Sequence, residues 1–159
     1  MFSLRRLTSD DLAQLRQFWV EHWGGEEMIS RGNAHRVEQL DGFVAENEEE
    51  WVGLLTFSIK GHECEVTSLD SLREGQGIGT KLMDSVVEEA RKQNCSRVFL
   101  ITTNDNTHAL RFYQKRGFEL AALYRGAVNE SRKLKPSIPL NGFDDIPIRD
   151  EIELELLLH

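Results

Sequence analysis

The chain lacks the patterns that mark several classes of protein. It has only two cysteines, Cys64 and Cys95, in 159 residues, with no CxxC pair, and its five histidines show no metal-ligand spacing. No apolar run approaches the roughly 18 residues of a membrane span, and the first residues lack the apolar core of a signal peptide. We therefore expect isolated core thiols, no metal, no membrane partner and a cytoplasmic location.

Basic residues are also fewer than acidic ones. The chain has 19 lysines and arginines against 27 aspartates and glutamates, which gives a net charge of −8. Phosphates would be repelled over most of such a surface, and this argues against a nucleic-acid partner. The excess of carboxylates is compatible with a cationic substrate such as an amine.

What the chain does have is an alternation of strand-like and helix-like segments. Its 159 residues suit a single domain, 1–159, that needs no disulfide to bury a core. Alternating or continuous apolar residues predict strands at 2–8, 41–47, 50–63, 64–72, 97–103, 118–126 and 150–158. Helical spacing predicts helices at 12–23, 78–90 and 106–117, with a further short helix within 24–40 and a loop with prolines at 129–147.

The order of these segments predicts an α/β fold. Strand–helix alternation in the second half favours parallel neighbours there, and the short connections in the first half favour antiparallel ones. We therefore expect a mixed sheet of about seven strands with helices on both faces.

Three glycines, Gly75, Gly77 and Gly79, alternate with other residues where a strand gives way to a helix. Glycine weakens both elements, so the position must require bare backbone. A nucleoside-triphosphate loop requires GxxxxGK[ST], and Lys81 comes one position too late for it. A dinucleotide fingerprint requires GxGxxG, which the segment GQGIG does not match either.

The same segment is suited to a different anion site. Consecutive amides at the start of a helix carry partial positive charge and can bind a pyrophosphate without a lysine. These amides belong to Gln76, Gly77, Ile78, Gly79 and Thr80. Side chains at the glycines would hold phosphates away from the amides. The alternative is a plain turn, for which one glycine would be enough.

Two segments, LREGQGIGTKLM at 72–83 and NDNTHALRFYQKRGF at 104–118, resemble the paired motifs of the GNAT superfamily of N-acetyltransferases. The first corresponds to an acyl-CoA loop of the form [QR]xxGx[GA], and the second to a helix of the form NxxAxxFYxKxGF. The second motif matches at Asn106, Ala109, Phe112, Tyr113, Lys115, Gly117 and Phe118. The first motif departs from the family at Glu74, where Gln or Arg is usual, and the neighbouring Arg73 is the candidate to supply the missing charge.

The resemblance implies a mostly antiparallel sheet that is splayed in the middle. It also implies direct transfer of an acetyl group from acetyl-CoA to an amine in a ternary complex. The pantetheine arm of CoA would add to the opened strand edge through the backbone of Thr67, Ser68 and Leu69, and the Leu69 amide would polarise the thioester carbonyl. Tyr113 matches the general acid of the family, and Asn106 is expected to cap its helix and contact the cofactor. The alternative for Tyr113 is an ordinary core aromatic.

The general base is the least defined role. Glu63 and Glu65 lie on the strand that family members use for an acidic base, and period two puts them on one face. Glu65 is our candidate, although a solvated strand face explains both glutamates, and some family members deprotonate the amine through water.

Acceptor specificity is expected from segments outside the two motifs. Candidates are Trp19 and Trp23, the segment 24–40 and the loop 129–147. Within that loop Phe143, Asp144 and Asp145 are candidates to line an amine pocket, and the alternative is a surface loop restrained by prolines.

Two other function classes stay open on the sequence alone. A non-catalytic acyl-CoA-binding regulatory module would use the same glycine segment without turnover. A nucleotide-binding domain with a nonstandard glycine loop is the other alternative. The sequence does not identify the amine acceptor, and it leaves open whether the protein forms a homodimer.

Overall fold

The structure, a computed structural model, describes residues 1–23, 27–30, 33–36, 41–73 and 75–159. Side chains are described for these residues except at 23, 27–30 and 33–36. The strands are Ser3–Arg6 (β1), Glu27–Ser30 (β2), Asn33–Arg36 (β3), Asp41–Asn47 (β4), Glu50–Lys60 (β5), Glu63–Ser71 (β6), Arg97–Thr103 (β7), Glu119–Tyr124 (β8) and Glu151–Leu157 (β9). The α-helices are Leu12–Trp23 (α1), Ile78–Lys92 (α2), Thr107–Lys115 (α3) and Ala127–Leu134 (α4).

Seven of the strands form one mixed sheet in the order β1-β4-β5-β6-β7-β9-β8. Within the described chain, β6 and β7 are its parallel pair, and the other neighbours are antiparallel. The predicted α/β fold with a mostly antiparallel, seven-stranded sheet is therefore confirmed. Parallel neighbours were expected more widely in the second half, but β9 lies between β7 and β8 and pairs antiparallel with both.

The short helix predicted within 24–40 is wrong. The described parts of this segment, β2 and β3, pair antiparallel from Glu27 opposite Arg36 to Ser30 opposite Asn33. A two-residue connection that contains a glycine is a hairpin signal, and here it outweighs the weak helical spacing of the segment.

The loop predicted at 129–147 is wrong for its first part, which belongs to α4. Val128 and Ser131, three residues apart, are the buried residues of this helix. The three prolines of the segment all follow residue 134, so they exclude helix only beyond the end of α4. The remainder, up to β9, has no helix longer than the 3-10 turn Phe143–Asp145 among the described residues.

Helices pack on both faces of the sheet, as predicted. On one face, α2 and α3 contribute to a large core with residues of β4 to β7 and β9, and both cysteines are buried in it. On the other face, α1 packs on β4 and β5 through a second cluster, made of Leu15, Phe18, Trp19, Val44, Trp51 and Leu54. No helix in the described part of the chain is both long enough and apolar enough to cross a membrane.

Candidate active site

The parallel strands β6 and β7 pair only over their first halves. The register runs from Glu63 opposite Arg97 to Val66 opposite Leu100. Beyond this point β6 stays paired with β5 as far as Ser71, and β7 stays paired with β9 as far as Thr103. The two strands therefore separate at their carboxyl ends, and the edge of β6 from Thr67 onward has no strand partner on the β7 side within the described chain. The predicted splay is confirmed.

A β-bulge marks the point of separation. On β5, the consecutive residues Thr56 and Phe57 lie opposite Ser68 and Val66, so Thr67 is the extra residue of β6. The Thr56 side chain is fully buried, and its hydroxyl contacts Thr67 Oγ1 at 2.7 Å and Ser68 Oγ at 2.5 Å. Three hydroxyl groups therefore satisfy one another where the strand becomes irregular.

The glycine segment follows directly at the start of α2. Gly75 and Gly77 have φ values of +76° and +72°, in the left-handed region that glycine tolerates best. A Cβ at either position would meet no atom within 4 Å, so both glycines border open space. The amide of Lys81 donates to the Gly77 carbonyl at 3.1 Å, and by helix geometry the amides before it have no intrahelical acceptor. This arrangement has the properties of an anion cradle.

Gly79 has a different role from the one its spacing suggests. A Cβ at this position would lie 3.2 Å from Cζ of Phe112 on α3, tighter than ordinary packing allows. The missing side chain therefore lets α3 approach the first turn of α2, while the Gly79 amide still belongs to that turn. Sequence spacing alone could not distinguish this packing role of Gly79 from the open positions of Gly75 and Gly77.

The positively charged side chains near the glycine segment are arranged differently from what the sequence analysis expected. Arg73 forms an exposed ion pair with Glu50, with Nη2 and Oε2 3.2 Å apart. Glu74, the residue that departs from the family pattern, lies outside the described residues. A different cation stands at the first turn of α2, because Arg116 Nε donates to the Thr80 hydroxyl at 3.0 Å.

The helix α3 begins just after the carboxyl end of β7, at the cleft formed where β6 and β7 separate, and it carries two residues of the second motif. Asn106 caps the helix as expected, with its side-chain oxygen accepting from the Ala109 amide at 3.1 Å. Tyr113 is 9% exposed and packs between the rings of Phe112 and Phe118, with centroids 5.4 and 5.8 Å away. Burial raises its pKa above the usual value, and the negative charge of a β6 carboxylate, Asp70, adds to the effect. The phenol is therefore neutral, and it lies near enough to the open half of β6 to be influenced by Asp70.

The structure separates the two candidate bases. Arg97 of β7 binds Glu63 at 2.8 Å and also contacts Glu153 and Glu155 of β9, so Glu63 belongs to a network across three strands. Glu65 is half-buried and lies opposite Ser58 and Phe99, immediately before the splay. Its charge is among those that raise the pKa of the buried Cys64 thiol to about 12, although burial is the main cause.

Trp19 does not line the cleft. Its side chain is fully buried in the core between α1 and the sheet, because Leu15, Trp19 and Phe18 form one helix face that packs on β4 and β5. The side chain of Trp23 and much of the segment 24–40 lie outside what the structure describes.

The loop after α4 is fastened to the carboxyl end of β7. Asn104 Oδ1 accepts from the amides of Arg149 and Asp150, each at 3.0 Å. The buried carboxylate of Asp105 accepts from the Phe143 amide at 3.1 Å. A Cβ on Gly142 would lie 2.0 Å from Asp105 Oδ2, so that contact requires glycine. Phe143 is consequently held near the carboxyl end of β7, with 61% of its surface exposed.

Sequence analysis missed three of these residues. Thr56 interrupts an otherwise apolar strand, and Asp105 follows the carboxyl end of a buried strand, so both positions carry a signal that was available. No local sequence signal marks Arg116, because its contact with Thr80 joins residues that are 36 positions apart.

Comparison with known proteins places this geometry in a family. Residues 7–118 match the model of the acetyltransferase (GNAT) family. The uncharacterized protein YdhI of Bacillus subtilis is 48% identical over 139 residues, which cover 87% of each chain. A Bacillus subtilis acetyltransferase solved in complex with CoA superimposes with a TM-score of 0.69 at 20% identity, over 99% of this chain and 98% of that one. A GNAT family acetyltransferase from Elizabethkingia anophelis, solved with acetyl-CoA bound, gives a TM-score of 0.71 at 19% identity. The match covers 99% of this chain and 98% of that one. The chain belongs to the acetyltransferase (GNAT) family.

Proposed function

We propose that the protein is an acetyl-CoA-dependent N-acetyltransferase that acetylates a primary amine of a small molecule or peptide by direct transfer in a ternary complex. The observation that carries the proposal is that β6 separates from β7 along the half that leads to the glycine segment before the first turn of α2. The β6 edge begins at Thr67, where pairing with β7 has ended. It leads to Gly75 and Gly77, which leave the cradle open. Two distantly similar structures of the same fold hold CoA and acetyl-CoA.

The residues fit a CoA-type ligand in two sections. An extended pantetheine arm can add to β6 as a further strand would, through the backbone of Thr67, Ser68 and Leu69. The pyrophosphate can accept hydrogen bonds from the amides at the start of α2. In total we assign cofactor binding to Thr67, Ser68, Leu69, Arg73, Gly75, Gln76, Gly77, Ile78, Gly79, Thr80, Asn106 and Tyr113.

Acetyl-CoA supplies an acetyl group activated as a thioester. The Leu69 amide, on the unpaired half of β6, donates toward the carbonyl oxygen and stabilises the negative charge that develops when the amine nitrogen attacks. The new C–N bond forms as the C–S bond breaks. An amine that enters as the ammonium ion must lose two protons, one before it attacks and one as the amide forms, and the leaving sulfur must gain one.

Tyr113 is the proposed proton donor to sulfur. The phenol is protonated at neutral pH, as a donor must be, and its burial limits competition from water. Its raised pKa makes it a weaker acid, so donation requires the leaving thiolate to lie within hydrogen-bond reach. The same burial is what a core aromatic would show, so the assignment depends on kinetics that separate turnover from affinity.

Glu65 is the proposed base, acting through water. It lies four residues before Leu69 on β6, which corresponds to about 13 Å along a strand. A glutamate side chain cannot span that distance, so a bridging water is required between its carboxylate and the attacking amine. Glu63 is a weaker candidate because Arg97 binds it.

The acceptor side of the cleft is proposed to include Phe143, Asp144 and Asp145. The Asp105 contact holds their turn at the carboxyl end of β7. The exposed ring and two exposed carboxylates suit a cationic amine with an apolar portion. This assignment is compatible with the net charge of −8.

Calorimetric titration with CoA and acetyl-CoA is the first test. We expect saturable binding of both ligands, followed by release of free thiol when acetyl-CoA is offered with a panel of amines. Binding without thiol release across a broad panel would favour the acyl-CoA-binding regulatory module instead. Absence of binding to either ligand would contradict the proposal, and protection by ATP or NAD alone would favour a nucleotide-binding domain.

A further inference from the structure

Four residues join the first turn of α2 to the end of α3. Gly79 leaves room for the Phe112 ring, whose Cζ lies 3.2 Å from the position of a Cβ there. The guanidinium of Arg116 lies over this ring, 4.2 Å from its centroid. The Nε of Arg116 donates to the Thr80 hydroxyl at 3.0 Å. We call Gly79, Thr80, Phe112 and Arg116 the arginine clamp.

The clamp restricts a positive charge without neutralising it. Each contact of the Arg116 guanidinium within the described chain is with a neutral group: the Thr80 hydroxyl, the Phe112 ring and, at 3.4 Å, the Phe112 carbonyl. A guanidinium has five N–H groups. Two of them serve these hydrogen bonds, which leaves three for a further acceptor. Stacking on an aromatic ring restricts a guanidinium without reducing its charge.

This charge lies beside the proposed anion cradle, because Arg116 contacts the side chain of a residue in the first turn of α2. Thr80 is the third residue of α2, within the turn whose amides have no intrahelical acceptor. Arg116 therefore adds a full positive charge to the partial charge of the helix N-terminus. Arg73, the other candidate cation, is paired with Glu50. Glu74 contributes a negative charge to the same sequence segment.

We infer that Arg116 is a ligand-binding residue of this chain, which donates hydrogen bonds to a phosphate group of CoA. The inference rests on the proposed function and deepens it by assigning a phosphate contact to a residue outside the glycine segment. The chemistry recognised is a phosphate oxygen. In CoA it can come from the pyrophosphate or from the 3′-phosphate of the ribose, and dephospho-CoA, which lacks the 3′-phosphate, distinguishes the two.

The test is calorimetric binding of CoA and dephospho-CoA to the wild-type chain and to Arg116→Met, at low and high salt. Methionine keeps a linear apolar stem against Phe112 and removes the charge. The matched control is Arg91→Met, which removes the same charge from the other end of α2, about 20 Å from Ile78 along the helix axis. If the methionine variant of Arg116 folds poorly, Arg116→Gln replaces it.

We expect Arg116→Met to weaken CoA binding about 10-fold, as loss of a charged hydrogen bond at a partly exposed site does. Its CoA affinity should also depend less on salt than that of the wild type, and Arg91→Met should leave both quantities unchanged. Equal loss for CoA and dephospho-CoA would assign the contact to the pyrophosphate. Loss for CoA alone would assign it to the 3′-phosphate.

Unchanged CoA affinity and salt dependence in Arg116→Met would overturn the inference and leave the proposed function standing. A lower melting temperature with unchanged binding would have the same meaning, because Arg116 would then only fasten α3 to α2. If the wild-type chain binds neither ligand, the proposed function itself fails, and the Arg116 inference fails with it.

Discussion

The two halves of strand β6 differ in what surrounds their backbone. From Glu63 to Val66 the strand is paired on both sides, with β5 and β7. From Ser68 to Ser71, after the bulge at Thr67, β5 is its strand partner within the described chain, and β7 no longer pairs with it. Buried backbone groups require partners, so the first half is complete within the protein, whereas the second half has capacity for an added strand or ligand. The proposed binding edge is thus defined by backbone that the sheet leaves unpaired.

The same contrast holds for the glycines near the two ends of β6. Gly61, in the turn before the paired half, has a φ of +61° and borders open space. Gly77, after the open half, has a φ of +72° and also borders open space. The two positions share a positive φ and open surroundings, but Gly77 also caps α2 and adjoins the proposed binding edge.

Substitution of these two glycines should give the largest effect. Gly77→Glu places a negative charge and bulk against the cradle and should reduce CoA affinity below detection in a calorimetric titration. Gly61→Glu introduces a similar backbone strain of about 1–2 kcal/mol without approaching the cradle, so its CoA affinity should equal that of the wild type. Equal CoA affinity in folded Gly77→Glu and wild-type protein would show that the glycine segment does not bind the phosphates.

Tyr113→Phe should have the next largest effect. Removal of the hydroxyl should lower kcat about 100-fold while acetyl-CoA affinity stays nearly the same, because only the proton donor is lost. The matched control is Tyr124→Phe, since the Tyr124 hydroxyl donates to Glu153 at 2.9 Å on β9 instead of facing the open half of β6. If both variants turn over at the wild-type rate, Tyr113 is a core aromatic and another group protonates the sulfur.

Much of the fold could be predicted because its signals are local. The strand β7 is a nearly continuous apolar run, α2 has an apolar stripe, and Asn106 precedes its helix as a cap should. The hairpin of β2 and β3 was missed although its signal was local, because its strands have only four residues each. Short segments carry too few residues for one periodicity to exclude another.

The parts of the site that could not be predicted depend on contacts between distant residues. Thr80 and Arg116 are 36 positions apart, and Asp105 and Phe143 are 38 apart. The roles of Gly77 and Gly79 also look identical in sequence, and only the approach of Phe112 distinguishes them. Residue types and spacing therefore predicted the splayed strand and the glycine segment beside it, but they did not predict which distant side chains contact that segment.

Glu65→Gln tests whether the paired half of β6 takes part in the chemistry of the open half. At pH 7 a primary amine is mostly protonated, with a pKa of about 10, so a base is required. We expect kcat/KM to fall about 10-fold at pH 7 and the deficit to shrink toward pH 10, where the amine is increasingly neutral. Glu63→Gln, which affects the Arg97 network instead, should leave the pH profile unchanged. If the pH dependence of kcat/KM in Glu65→Gln equals that of the wild type, water alone deprotonates the attacking amine.

The smallest effect is expected at the boundary between the two halves. Thr56→Val removes the hydroxyl that contacts both Thr67 and Ser68, and it leaves those two hydroxyls without this partner. The free energy of unfolding in urea should fall by about 1 kcal/mol, whereas Thr56→Ser, which keeps a hydroxyl, should lose less. CoA affinity should fall in the same order, because the bulge at Thr67 sets the direction of the open half. Loss of stability without any loss of CoA affinity would show that the bulge is held by β5 alone, and that the hydroxyl contacts do not position the binding edge.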